Sequence, residues 1–262
     1  MEHIHRLRMI PVVVALSFAT AFGGAQANPP ASPTSNTPSP PPSNAKLDGN
    51  LFYEILLGEV TTRTGDPGAG YALILDAARR SRSEQLYQRA ADIALQSRSG
   101  EYALAAAKAW QEDHPQSRET NRYVLQILIA LNKVGETAGP LRQFIEQAPL
   151  PNRVGILSSV PQMYGRIADK AAAVSAVKEA FKGELENRST GAAAWISLGR
   201  LQLAADDKAG SLQSLAKSKA MDPAYEGQAR LALELMDEGI SAAEPFVQQY
   251  LEKHSNTEIR ML

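Results

Sequence analysis

Cysteine is absent from the 262-residue chain. That excludes disulfide frameworks, cysteine-bearing zinc sites, iron–sulfur clusters and thiol nucleophiles. Histidine is scarce: His3, His5, His114 and His254 are the full set, and the first two fall in a segment expected to be removed. A histidine-rich metal site is therefore not expected. Neither charge sign is in excess, with 27 Lys+Arg against 28 Asp+Glu. A nucleic-acid partner held by a bulk basic field is excluded on that count. Sustained period-two alternation with β-branched residues is missing, so no strands are expected. The longest apolar run, Met9–Phe22, has 14 residues, short of the roughly 20 that span a bilayer as a helix. What is present is 44% hydrophobic and 21% charged residues, enough to build one or two domains with a real core.

The amino terminus reads as an address. Arg6 and Arg8 precede the apolar run, and Gly23-Gly24 and Ala25-Gln26-Ala27 follow it. Basic start, short apolar middle and small residues at a cut describe a secretory signal peptide over 1–27, cleaved after Ala27. The expected location is the periplasm or the exterior, with no transmembrane segment after cleavage. Asn28 offers no thiol for a lipid anchor. Residues 28–45 hold seven prolines and no charge. Proline fixes φ and lacks the N–H, so this stretch reads as an extended, disordered linker.

From Lys46 to Leu262 the apolar residues recur at three and four, the helical spacing. Loops marked by Gly, Asp, Asn or Pro recur every 15 to 18 residues. The pattern predicts twelve helices, from Asn50–Arg63 to Ser241–His254, with Val154–Ile167 interrupted by Pro161 and Asp169–Glu186 continuous. Asp66, Asp169 and Asp207 are expected to cap helix starts, Asp66 with Pro67 at the first helical position. Twelve helices with short loops make six helix pairs. A fixed period is clearest where Trp195-Ile196-Ser197-Leu198-Gly199 leads to Pro223. There the chain resembles the tetratricopeptide repeat family, whose 34-residue unit carries W-x₂-L-G in its first helix and a Pro near its end. Leu57-Gly58 match the L-G pair in the first unit. Gly199, Ser211 and Ser218 are small where two helices of a unit must approach closely. Gln202 and Trp110 depart from the family pattern.

The resemblance implies an all-α, right-handed α-solenoid of about six antiparallel helix pairs, with a concave groove lined by the first helix of each pair. It also implies a non-catalytic scaffold that binds a protein partner. First-helix positions between the packing residues give the groove candidates Ile55, Glu59, Gln88, Asp92, Ile196 and Arg200. The Lys/Asn set with which some family members clamp a terminal carboxylate is absent. Two other readings stand beside this one: a cell-wall or exopolysaccharide-binding array, and the helical arm of a larger enzyme.

A scan for chemistry finds no catalytic, cofactor or metal constellation. Gly65-Asp66-Pro67-Gly68-Ala69-Gly70 follows a helix and lacks the P-loop Lys-Ser/Thr, so it reads as a turn. Asp206-Asp207 reads as a cap, His114 as a loop residue, and Arg79, Arg80, Arg82 and Arg89 as a helix-end cluster. Neither Ser158-Ser159 nor Ser197 sits in G-x-S-x-G. At the carboxyl terminus Ser255-Asn256-Thr257-Glu258 has capping-box form. Only Ile259-Arg260-Met261-Leu262 follow, too short for a helix. The expectation is a truncated repeat protein, or self-association through the carboxyl-terminal repeat.

Overall fold

The computed structural model describes residues 49–253, which fall in one compact unit of the chain, Leu47–Leu262. The expected signal peptide over 1–27, the proline-rich segment over 28–45 and the expected carboxyl-terminal capping box lie outside the described residues. Thirteen α-helices and two 3₁₀ turns, with no strand, make up the described part. The helices are α1 (Gly49–Arg63), α2 (Pro67–Ser81), α3 (Glu84–Gln96), α4 (Gly100–Asp113), α5 (Arg118–Ala130), α6 (Ala138–Glu146), α7 (Leu150–Met163), α8 (Lys170–Ala180), α9 (Lys182–Leu185), α10 (Gly191–Ala204), α11 (Lys208–Met221), α12 (Gly227–Asp237) and α13 (Glu244–Lys253). Most successive helices pack on one another, and the expected pairs are seen in α1/α2, α3/α4, α5/α6, α10/α11 and α12/α13.

The local causes are the predicted ones at several starts. The carboxylates of Asp66, Asp169 and Asp207 accept from the backbone N–H of Ala69, Ala172 and Gly210 at 2.8–2.9 Å. These satisfy donors that a helix start leaves open. First-helix ends share a second device. In α1, α3, α5, α10 and α12 the closing N–H reaches back five residues, from Asp66 to Thr61, Ser99 to Ala94, Lys133 to Leu128, Asp207 to Gln202 and Ile240 to Leu235, at 2.8–3.2 Å. Each is preceded by a left-handed residue: Gly65, Arg98, Asn132, Asp206 and Gly239. This is the Schellman closure, which satisfies end carbonyls and stops the helix. It recurs at 33- and 34-residue spacing except across one gap, from Asn132 to Asp206. The backbone thus repeats the period where the side-chain motifs have faded.

The gap holds the irregular fourth unit. Helix α7 starts at Leu150 and runs through Pro161 to Met163, so the proline does not interrupt it. Pro161 stands two residues from the end of α7, and its missing N–H removes a single helical bond, the one to the Leu157 carbonyl of the preceding turn. The predicted single helix Asp169–Glu186 is two: Phe181, fully buried, turns the chain between α8 and α9. That turn brings the buried Glu184 to Arg153 Nη1 (2.9 Å) and Thr190 Oγ1 (2.5 Å). Helices α7 and α8 scarcely touch as backbones, yet their side chains Leu157, Val160, Ala173 and Val177 share one core with Leu198 and Leu201 of α10.

Helix α10 is the centre of the packing, against α7, α8, α9, α11 and α12. Its motif residues do what their types allow. Trp195 donates its indole N–H to the Leu185 carbonyl at 3.0 Å, tying α10 to the preceding unit, and the Lys217 ammonium sits 4.2 Å from its ring centre. Leu198 is buried. A Cβ on Gly199 would stand 2.7 Å from Leu231 Cδ2 and 3.2 Å from Ser214 Cβ, so glycine sets the approach of α11 and α12. Ser218 donates to the Ala192 carbonyl at 3.0 Å. Pro223 lies exposed in the turn between α11 and α12.

Candidate partner-binding groove

The six groove candidates lie on first helices, and the structure ties most of them to a residue one repeat further on. Glu59 of α1 accepts two hydrogen bonds from Arg89 of α3, at 2.6 and 2.7 Å. The Arg89 guanidinium holds the Glu59 carboxyl below its ordinary 4.5, against the opposing effect of burial. Gln88 of α3 donates to the Tyr123 hydroxyl of α5 at 2.9 Å, and that hydroxyl donates to Asp92 at 3.2 Å. Burial pushes the Tyr123 phenol up. Arg200 of α10 forks onto Glu234 of α12 at 3.1 and 2.6 Å. The apolar candidates Ile55 and Ile196 pack into the cores at either end. These residues therefore form a polar ladder between successive first helices, with two apolar side chains beneath it.

Two of the six are brought together at a cavity. A space of about 710 Å³ opens over α7, α10 and α12, lined by Ser158, Tyr164, Lys170, Arg200, Glu234 and Glu238 among others. A second, of about 290 Å³, is lined by Ser158, Ile196, Arg200, Tyr225, Glu226 and Arg230. Ser158 and Arg200 belong to both walls. The Ser158 and Tyr225 hydroxyls lie 3.3 Å apart, bridging α7 to the turn before α12. Burial pushes the Tyr164 phenol up to about 12. Ile55, Glu59, Gln88 and Asp92 lie on α1 and α3 and line neither cavity. Sequence reasoning missed Tyr123, Tyr225 and Glu234. Glu234 carried a signal: it stands 34 residues after Arg200 with the opposite charge.

Several of the residues set aside as structural have partners within the fold. His114 Nε2 lies 2.8 Å from the Arg82 carbonyl. Arg80 pairs with Glu54 and Asp76, and Arg89 with Glu59. Ser158 and Ser159 donate to carbonyls of their own helix, those of Val154 and Ile156. Among the described residues no group of three or more His, Cys, Asp or Glu could hold a metal ion. No helix among them is long and apolar enough to cross a membrane.

No protein-family model matches the chain, and no curated protein matches it. Solved structures do. The crystal structure of MamA protein is 17% identical, covering 64% of this chain and 90% of that one, with a TM-score of 0.36. A 41-end form of MamA from Desulfovibrio magneticus RS-1 is 15% identical over 64% and 93%, with a TM-score of 0.35. PilW, described as a widely conserved type IV pilus biogenesis factor, is 14% identical over 82% and 98%, with a TM-score of 0.39. At such identities the fold is read from the chain's own paired helices.

Proposed function

We propose that this chain is an exported, non-catalytic helical-repeat scaffold of the cell envelope that binds a protein segment across α7, α10 and α12. The observation that carries the reading is the pair of adjoining cavities sharing Ser158 and Arg200. Their lining mixes apolar side chains with charges of both signs. Lys170, Arg200 and Arg230 stand among Glu226, Glu234, Asp237 and Glu238. A groove so lined, with ion pairs such as Arg200–Glu234 and Arg230–Glu226 standing beside apolar side chains, suits a polypeptide whose own apolar and charged side chains can extend or exchange those pairs. The packed first helices hold the groove open without rearrangement, which lowers the ordering cost of binding. The amino-terminal address supports export, and the missing cysteine and histidine clusters leave no redox or metal role to assign.

The test is affinity capture from an envelope extract with the wild-type chain, Arg200→Glu and Gln88→Ala. Arg200→Glu faces Glu234 with a like charge and is expected to weaken capture of a discrete protein about tenfold or more. Gln88→Ala, away from both cavities, is expected to change it little. Equal capture by all three rejects this groove. Retention on purified cell-wall polymer with no protein captured favours the polysaccharide reading. Fractionation against a form lacking residues 1–27 tests export, and an unchanged cytoplasmic distribution rejects it.

A further inference from the structure

Five side chains of α1 are open to solvent: Phe52, Tyr53, Leu56, Leu57 and Val60, between 40 and 65% exposed. Aligning Leu57-Gly58 with Leu198-Gly199 places their counterparts in α10 at Ala193, Ala194, Ser197, Leu198 and Leu201, which are 3% exposed or less. In α10 those positions are covered by the preceding helices α7 and α8. In α1 the same seam faces outward, with large apolar residues where α10 has mostly small ones. Tyr53, Leu56 and Val60 have the three-then-four spacing of a helix–helix seam, flanked by Phe52 and Leu57. Beside the stripe a hollow of about 300 Å³, lined by Tyr53, Leu57, Leu73 and Arg80, can receive a side chain.

We infer that this face of α1 docks on the same face of a second copy of the chain, about a two-fold axis. A two-fold contact sets one surface against itself, so it must not repel itself. The stripe carries no charge. The acids that flank it, Glu54 and Glu59, are committed inward to Arg80 and Arg89. Antiparallel docking of the two α1 helices also opposes their dipoles favourably. Head-to-tail stacking is disfavoured because α13, at the other end of the described array, exposes Glu244, Gln248 and Glu252 in a polar stripe at four-residue spacing. Setting that stripe on the apolar one would bury charge without a partner. From the fractional exposures, the five side chains of both copies offer on the order of 1,100 Å², near the lower edge of specific interfaces at about 1,200 Å², with the rim to add.

The absence of native cysteine allows a direct test on the full chain. Leu56→Cys is expected to form a disulfide-linked dimer on mild oxidation, and Gln248→Cys to form none. In sedimentation equilibrium the wild type is expected to dimerise with concentration. The Leu56→Glu, Val60→Glu double variant is expected to remain monomeric with unchanged helicity by circular dichroism. A wild type that stays monomeric overturns the inference. So does a double variant that still dimerises, or a Leu56→Cys chain that cross-links only to Gln248→Cys. Binding of the monomeric wild type to vesicles would assign the face to lipid and overturn it equally.

Discussion

At the scale of single residues, function and stability rest on close approaches and paired charges. Gly199 lies where α10, α11 and α12 meet, and its absent side chain is filled by Leu231 and Ser214. Gly199→Val is expected to cost about 2 kcal/mol through overpacking, read as a drop in the urea midpoint with little change in slope. A loss no larger than at an exposed site would mean that the helices part freely. The Glu59–Arg89 pair makes a pH prediction. Arg89 holds the folded-state pKa of Glu59 below the ordinary 4.5. Its contribution is then fully present above the unfolded-state value and lost as pH falls through the folded one. The melting temperature of the wild type should exceed that of Glu59→Gln near neutral pH, and the gap should close below the carboxylate range. A gap independent of pH would show that the pair does not stabilise the fold.

At the scale of elements, the first-helix ends set the period. Gly65 and Gly239 occupy the left-handed position with φ of +104° and +82°, while Arg98, Asn132 and Asp206 do so with side chains at about +60°. An L-residue in that region costs roughly 1 kcal/mol. Gly239→Ala should therefore destabilise by about 1 kcal/mol, and Arg98→Gly should stabilise by up to about 1 kcal/mol. Thermal unfolding of the two variants checks the opposite signs; a shared sign would refute the reading. The caps at Asp66, Asp169 and Asp207 were legible in the sequence because a carboxylate beside a helix start acts within three residues. The Schellman ends at Arg98, Asn132 and Asp206 were not, since arginine, asparagine and aspartate carry no obligate left-handed signature. The break at Phe181 was also hidden: the contact it leads to, Glu184 against Arg153, joins residues 31 apart in the sequence.

At the scale of the whole helical unit, stability should follow how each helix is enclosed. Helix α10 packs on five neighbours, whereas α1 packs chiefly on α2, and α13 on α12 and the turn before it. Where contacts run mostly between sequence neighbours, the ends open more readily than the middle. Hydrogen exchange at low concentration should show the slowest amides in α10 and the fastest in α1 and α13. Uniform protection across the array would instead indicate one all-or-none unit.

The sequence by itself determined the helical class, the 34-residue pairing around Trp195, Leu198, Gly199 and Pro223, and the close approach at Gly199. These depend on periodicity and side-chain size within one unit, which the linear order carries. Tertiary structure decided which first-helix residues line the two cavities over α7, α10 and α12 and which are paired away from them. Glu59, Gln88, Asp92 and Arg200 satisfy the same spacing rule, yet Arg200 lines both of these cavities and the other three line neither, because α10 lies between α7 and α12 whereas α1 and α3 lie elsewhere in the array. It also decided the fate of Leu57, which shares its motif position with the buried Leu198 but has no helix pair before it among the described residues. Burial is a relation to a neighbour, and a motif repeated along a chain does not state which of its copies has one.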